Sequence, residues 1–164
     1  MDKNIEFREY KQSDRQSILI LMETFNKYIQ SIDTEHRTEY KEGSTEYFVD
    51  KMIKQSKDKK GQILVACLDN KLIAFISGYV DKQDEDEKME AKHVIPGVIG
   101  ELFVDDNFRG QKIGKQLLTK MENFLRNQGC DIVRLAVFAP NIMARDFYKY
   151  SGYNERMLYL SKKL

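Results

Sequence analysis

Arg109-Gly110-Gln111-Lys112-Ile113-Gly114-Lys115 places three cations and two glycines where an apolar period begins. Ile113, Leu117, Leu118, Met121, Phe124 and Leu125 share one helical face, and Gly129 stands where a C′ glycine would stop the helix. Upstream, Glu101 to Val104 closes a β-branched apolar run that begins near Val94 and reads as a strand, and Asp105 to Phe108 is a polar connection. A strand therefore feeds a turn that opens a helix over Gly110 to Gln128. Free backbone N–H groups at a helix start, the positive end of the macrodipole and the side chains of Arg109, Lys112 and Lys115 make an anion site, with phosphate its natural guest. The two commonest phosphate turns do not fit. A Walker A loop needs four residues between its glycines and then Lys-Ser/Thr, but Gly110 and Gly114 enclose three residues and Gln116 stands where a hydroxyl should. The G-x-G-x-x-G of a dinucleotide turn is absent.

The elements that must position this turn can be read in order. Ile5 to Arg8 is a short edge-strand candidate. Ser13-x-x-Gln16 matches a capping box, and Ile18, Leu21, Met22, Phe25, Tyr28, Ile29 and Ile32 then fall on one helical face. Asp33 to Gly43 is polar and aperiodic, a loop. Ser44 is placed to cap a second helix to about Lys57, with Phe48, Met52 and Tyr47 inward. Ile63 to Leu68 and Leu72 to Val80 read as strands joined by Asp69-Asn70-Lys71, a hairpin turn because Asn and Asp tolerate left-handed backbone. Asp81 to Lys92, DKQDEDEKMEAK, is expected to be a solvated loop; the competing reading has its carboxylates draw a cationic substrate to the mouth of a site. Ile132 to Phe138 is a further strand, so that strand, helix and strand form a βαβ unit with parallel strands and a right-handed crossover. Pro140-Asn141 starts a short helix with Ala144, Phe147 and Tyr148 inward, ended by Gly152. Tyr153 to Leu160 alternates loosely as a last strand before a basic tail.

With 164 residues, no internal repeat and no low-complexity linker, the chain is expected to be a single domain over residues 1–164. A net charge of +1 offers no charge-based case for nucleic acid or a membrane surface. No apolar run reaches the roughly 18 residues of a membrane span, and MDKNIEFREY holds no signal-peptide core. Cys67 and Cys130 lie far apart in a chain with no other cysteine, which favours a reduced, cytoplasmic location. His36 and His93 are isolated, without HExxH or cysteine-rich ligand spacing, so no metal site is expected.

Arg109 to Gly114 resembles Arg/Gln-x-x-Gly-x-Gly/Ala, the acetyl-CoA-binding signature of the GNAT superfamily of N-acetyltransferases. Val137 to Tyr153, VFAPNIMARDFYKYSGY, resembles that family's next motif: strand, asparagine, helix, Phe-Tyr, then Gly-aromatic. The element order β-α-α-β-β-β-α-β-α-β agrees. One position departs, because Lys112 stands where the family usually has its first glycine. A side chain there costs roughly 1 kcal/mol if the turn needs positive φ, and little if the residue is helical.

The resemblance implies an α/β fold of the α+β type: a mixed, largely antiparallel sheet with a splayed central parallel strand pair and helices on both faces. It implies acetyl-CoA as acetyl donor. The pantetheine arm would lie along the backbone of Leu102, Phe103 and Val104, and the pyrophosphate on the N–H groups of Gly110, Gln111, Lys112, Ile113, Gly114 and Lys115, beside Arg109. Asn141 matches a residue that often contacts the cofactor, and a helix N-cap is the equal alternative. Tyr148 matches a tyrosine that protonates the departing thiolate and borders the cofactor; packing against Phe147 is its bland reading. The family's usual base position falls at Val98, which cannot serve. Glu101 is the candidate base, although strand alternation sends it to the face opposite Val98 unless a bulge intervenes; attack without a dedicated base is the alternative. Tyr28, Tyr40 and Tyr47 flank the loop that helps form the acceptor pocket in this family; lining that pocket and packing are the two readings open to them. The expected activity is transfer of acetyl from acetyl-CoA to a primary amine, of a small molecule by preference and with a cationic acceptor admitted, by a protein able to form a homodimer. Two rivals stand: a non-catalytic acyl-CoA-binding sensor or partner module, and a protein lysine or N-terminal acetyltransferase.

Overall fold

The computed structural model describes residues 4–164. Five strands form one sheet in the order β1-β2-β3-β4-β5: β1 (Ile5–Glu9), β2 (Gln62–Leu68), β3 (Lys71–Val80), β4 (Pro96–Val104) and β5 (Ile132–Arg134). Neighbours are antiparallel except β4 and β5, which run parallel. Helices α1 (Arg15–Ser31) and α2 (Ser44–Asp58) cover one face, where Ile18, Met22, Val49 and Met52 meet Val65, Phe75 and Phe103. Helix α4 (Ile113–Asn127) covers the other, setting Ile113, Leu117, Leu118, Met121 and Leu125 on Ala74, Ile76 and Ile99. It lies unusually close to the sheet at two glycines. A Cβ on Gly78 would meet Met121 Sδ at 2.6 Å, and one on Gly97 would meet Leu125 Cδ1 at 2.9 Å.

The mixed α/β sheet with helices on both faces agrees with the sequence reading, and so do α1, α2, α4, the hairpin and the parallel pair. In the hairpin turn both Asp69 (φ 49°) and Asn70 (φ 64°) are left-handed, as a two-residue type I′ turn demands. Five details differ, each for a local reason. The Ser13-x-x-Gln16 box does not form: Asp14 instead takes the N–H of Lys11 at 2.7 Å and both guanidinium nitrogens of Arg8 at 2.7 and 2.9 Å, and a 3-10 turn over Gln12–Asp14 precedes α1. Gly43, at φ 78°, rather than Ser44, is the N-cap of α2, and Tyr47 is turned outward, 62% exposed. The acidic run is not all loop. Asp84 caps a short helix α3 (Glu85–Glu90) in a reciprocal box with Glu87, a signal that needs no apolar period. Helix α4 begins at Ile113 rather than Gly110 because Gly110 (φ 76°) and Lys112 (φ 62°) are both left-handed.

The fifth difference concerns the C-terminal third. Strand pairing between β4 and β5 ends at Val98 opposite Arg134, so Leu135 to Phe138 leave the sheet. Helix α5 (Ile142–Tyr150) follows, capped by Asn141, but Tyr153 to Leu160 forms no strand.

Candidate functional site

Beyond Val98 the parallel strands part, and the site is built around that opening. Asp105 N–H donates to Ile73 C=O at 2.9 Å on the β3 side. Backbone groups alternate along a strand, and Phe103 and Phe75 are register partners; Phe103 therefore also points its amide at β3. Leu102 and Val104 must then aim their N–H and C=O at the side β5 has vacated. Of the three strand residues named from the sequence, two present their backbones to the gap and Phe103 instead fills the α1/α2 core.

The turn after β4 closes one end of the gap. Asp105 accepts from Asn107 N at 2.9 Å and starts a 3-10 turn over Asp106–Phe108. No side chain caps α4, and the first amide with an intrahelical acceptor is Gln116 N–H, to Lys112 C=O at 3.0 Å. The six consecutive amides from Gly110 to Lys115 have no acceptor among the described residues. Lys112 holds the left-handed conformation the resemblance assigns to a glycine, at φ 62° and ψ 10°. Gly114 is different in kind: a Cβ there would sit 3.5 Å from Val104 Cγ2 and 3.7 Å from the Phe147 ring, an ordinary contact.

Arg109 folds back across the mouth. Its Nε–H donates to Val104 C=O at 3.2 Å, its Nη2 pairs with Asp106 at 2.6 Å, and its guanidinium lies 5.6 Å from the Tyr28 ring centre and 5.8 Å from that of Phe103. Tyr28 in turn donates its hydroxyl to Asn141 Oδ1 at 3.2 Å, which also accepts Ala144 N–H at 3.2 Å. Asn141 is thus a helix N-cap, buried and tied to α1, and its Nδ2 donates to no described residue.

Glu101 owes its place to a β-bulge. Gly78 pairs with Ile99 and Ile76 with Leu102, so Gly100 and Glu101 together oppose Ser77. The buried Ser77 Oγ accepts Glu101 N–H at 3.0 Å, and a Cβ on Gly100 would strike that oxygen at 2.7 Å. The extra residue restores Glu101 to the α1/α2 face, the face of Val98, since Ile99 and Leu102 both pack on the α4 side. Burial pushes the Glu101 carboxyl up to about 7, against a smaller lowering by the charge of Lys51 on α2. The same carboxylate raises the hydroxyl of Tyr148, after burial as the larger cause, and that of Tyr40 in the α1–α2 loop, again after burial. The charge of Glu101 therefore reaches both Tyr148 and Tyr40. Tyr148 is packed between Phe147 (5.1 Å) and Tyr153 (5.5 Å).

The loop bearing Tyr40 is organised by Asp33, whose carboxylate accepts the amides of Glu35, Arg37 and Thr38 at 3.0, 2.8 and 2.6 Å. Hydrogen bonding by Thr38 and then the other amides holds Asp33 down at about 2. Tyr47 stacks edge-on to Phe48 at 5.4 Å and takes no part in the gap. The acidic run lies at the opposite end of β4, where Asp81 donates its N–H to Pro96 C=O. Three of its six carboxylates are ion-paired: Arg134 holds Glu87 at 2.6 Å and Asp81 at 3.2 Å, Lys59 takes the other Asp81 oxygen at 3.2 Å, and Lys88 takes Glu85. Ser77 and Lys51 escaped the sequence reading. The only sign of Ser77 was a hydroxyl before Gly78 inside an apolar strand, and Lys51 lies on the polar side of its helix. No group of three or more potential metal-ligating side chains occurs among the described residues, and no described helix is long and apolar enough to cross a membrane.

Residues 29–153 match the family model described as the acetyltransferase (GNAT) family. An uncharacterized N-acetyltransferase of Methanocaldococcus jannaschii is 33% identical over 95 residues, 57% of this chain and 53% of that protein. The chain spans about half or less of the length of the curated relatives it matches. Among solved structures, a GNAT-family acetyltransferase from Staphylococcus aureus Mu50 superposes with a TM-score of 0.72 at 20% identity, covering 94% of this chain and 87% of that one. An aminoglycoside N-acetyltransferase solved with CoA superposes with a TM-score of 0.70 at 13% identity, covering 100% and 98%.

Proposed function

Because the chain belongs to the acetyltransferase (GNAT) family, a family of acyltransferases, we propose that it transfers acetyl from acetyl-CoA directly to a primary amine, with a small-molecule amine as acceptor and the cytoplasm as its place of work. The observation that carries this reading is the run of six acceptor-less amides, Gly110 to Lys115, at the end of a gap lined by strand backbone. A diphosphate needs such a cradle, and Lys112 and Lys115 add charge to it. Leu102 and Val104 supply the sheet-like donors and acceptors a pantetheine amide would take. Asn141 would contribute Nδ2 alongside its capping role.

When bound, acetyl-CoA supplies the activated thioester; the chain's residues supply position and protons. Glu101, with its carboxyl near 7, takes a proton from the acceptor ammonium and frees the amine lone pair for attack on the carbonyl carbon. The C–N bond forms and the C–S bond breaks. Tyr148, kept protonated by burial and by the Glu101 charge, donates its proton to the leaving sulfur, and the second proton shed by the acylated nitrogen restores the tyrosine hydroxyl. Because Asp81 and Glu87 are already paired and lie at the opposite end of β4, a preference for a cationic acceptor rests on Glu101 in this reading.

A second reading, an acyl-CoA-binding module without transfer, is favoured by one observation: Lys112 in a backbone conformation that suits glycine. The two part on release of free CoA thiol. Acetyl-CoA should raise the melting temperature of the wild type and raise it less in Gly114→Glu, whose side chain would be driven into Val104 and Phe147. A screen of amine libraries for thiol release should then find an acceptor. Binding without release from any amine or peptide lysine selects the second reading, and no stabilisation by acetyl-CoA rejects both.

A further inference from the structure

Helix α1 has two working sides. Tyr28 faces the gap through its bond to Asn141. At about 100° per residue, Gln16, Glu23, Lys27 and Gln30 point roughly 100–160° away from it. On that second side α1, the turn before α2 and the first residues of α2 enclose a cavity of about 430 Å³. No residue of β4, α4 or α5 lines it, so it is separate from the gap that holds Glu101, Tyr148 and the amides of Gly110 to Lys115. Its end wall is the start of α2, which no side chain caps. Ser44 N–H donates to Lys41 C=O and Tyr47 N–H to Gly43 C=O, both at 3.0 Å, which leaves the amides of Thr45 and Glu46 without an acceptor among the described residues. Beside them lies Asn26, 5% exposed on α1. Its Nδ2 donates to Thr45 Oγ1 at 3.3 Å, whereas its Oδ1 accepts from no described residue. That oxygen is not sealed from solvent, so it opens on the cavity that Asn26 lines. An amide oxygen held this deep calls for a donor, and here the donor must come from the cavity. The charges around it are unevenly matched. Lys27 pairs with Glu23 at 2.6 Å and Lys41 with Glu39 at 2.7 Å, and Arg15, held chiefly by Asp50, also feels the charge of Glu46. Glu42 has no partner among the described residues.

We propose that this cavity binds an α-amino acid, its carboxylate on the Thr45 and Glu46 amides, its ammonium between Asn26 Oδ1 and Glu42, and its side chain along Leu19 and Ile20. A bare anion would satisfy the two amides and leave Asn26 Oδ1 and Glu42 unmatched, and a simple amine would do the reverse. The Asn26–Thr45 hydrogen bond sets the free oxygen next to the free amides, the close pairing of opposite groups that a carboxylate and an ammonium on one carbon present. Ile20, 58% exposed, gives the same cavity an apolar wall. Its volume falls within the usual range for small-molecule sites. Tyr40 belongs to the wall as well, so an occupant adjoins a residue that the charge of Glu101 also reaches. The site stands whether or not the chain transfers acetyl groups.

Isothermal titration calorimetry of the full chain with L-leucine, in the absence of acetyl-CoA, tests this. The wild type should bind leucine, and Asn26→Leu should bind it at least about tenfold more weakly. Because Asn26 is buried, Glu42→Lys is the second variant: it lies on an exposed turn, leaves the fold intact and sets a cation where the ammonium should sit, and it should weaken binding by a similar factor. Leucinamide, which lacks the carboxylate, and 4-methylpentanoate, which lacks the ammonium, should each bind at least about tenfold more weakly than leucine. No binding of leucine at millimolar concentration overturns the proposal. So does leucine held equally well by both variants, and so does leucinamide or 4-methylpentanoate held as tightly as leucine.

Discussion

Single side chains set the chemistry, and three substitutions read it out. Tyr148→Phe keeps the packing between Phe147 and Tyr153 but removes the proposed proton donor, so kcat should fall about 100-fold while CoA affinity is retained; equal turnover would take Tyr148 out of the mechanism. As the proposed base, Glu101 would act only when ionised, and burial pushes its carboxyl up to about 7. Turnover should therefore climb as pH rises through about 7 and level off above it, and Glu101→Gln should abolish that limb in a pH–rate profile. Lys112→Gly tests the departure from the glycine pattern. Removing a Cβ from φ 62° should stabilise the fold by about 1 kcal/mol, measured by thermal denaturation. If the lysine's charge outweighs that strain in function, acetyl-CoA binding should weaken as the protein becomes more stable.

At the level of elements, what was legible in the sequence followed from how each signal is encoded. Helix α4 announces itself because Ile113, Leu117, Leu118, Met121 and Leu125 all face one core, and the Asp69-Asn70 turn because few residues tolerate left-handed backbone. The short helix α3 was hidden, since capping and charge pairing hold it rather than an apolar face. The β-bulge was foreseeable only as a possibility. It depends on Ser77, one strand away, whose hydroxyl takes the amide that the extra residue displaces. Likewise nothing local tells β5 to stop at Arg134; the parting is a property of the pair. Ser77→Ala should cost about 1 kcal/mol in a denaturant titration for the lost hydrogen bond. It should also lower kcat more than it raises KM, because Glu101 loses its anchor while the phosphate turn is untouched.

Across the whole molecule, the hydrogen-bonded carboxylates Asp14 and Asp33 bias the fold against acid, the opposite of the raised Glu101. Asp14 is held low chiefly by hydrogen bonds from Arg8, and Asp33 down at about 2 by Thr38 and neighbouring amides. A carboxyl depressed in the folded state contributes stability above its ordinary range near 4, and that contribution is lost as pH falls toward the folded value. The denaturation midpoint should therefore drop between about pH 4 and pH 2, and Asp33→Asn should flatten part of that slope. One more property of the whole follows from Arg109, whose guanidinium links β4, α1 and α5 by touching Val104, Tyr28 and Met143. Arg109 thus already takes the Val104 carbonyl that the proposed function gives to pantetheine, so under that proposal binding is a swap in which the cation surrenders this carbonyl for phosphate oxygens. Calorimetry with Arg109→Ala should find pantetheine, which carries no diphosphate, bound more tightly than by the wild type, and full-length CoA bound less tightly.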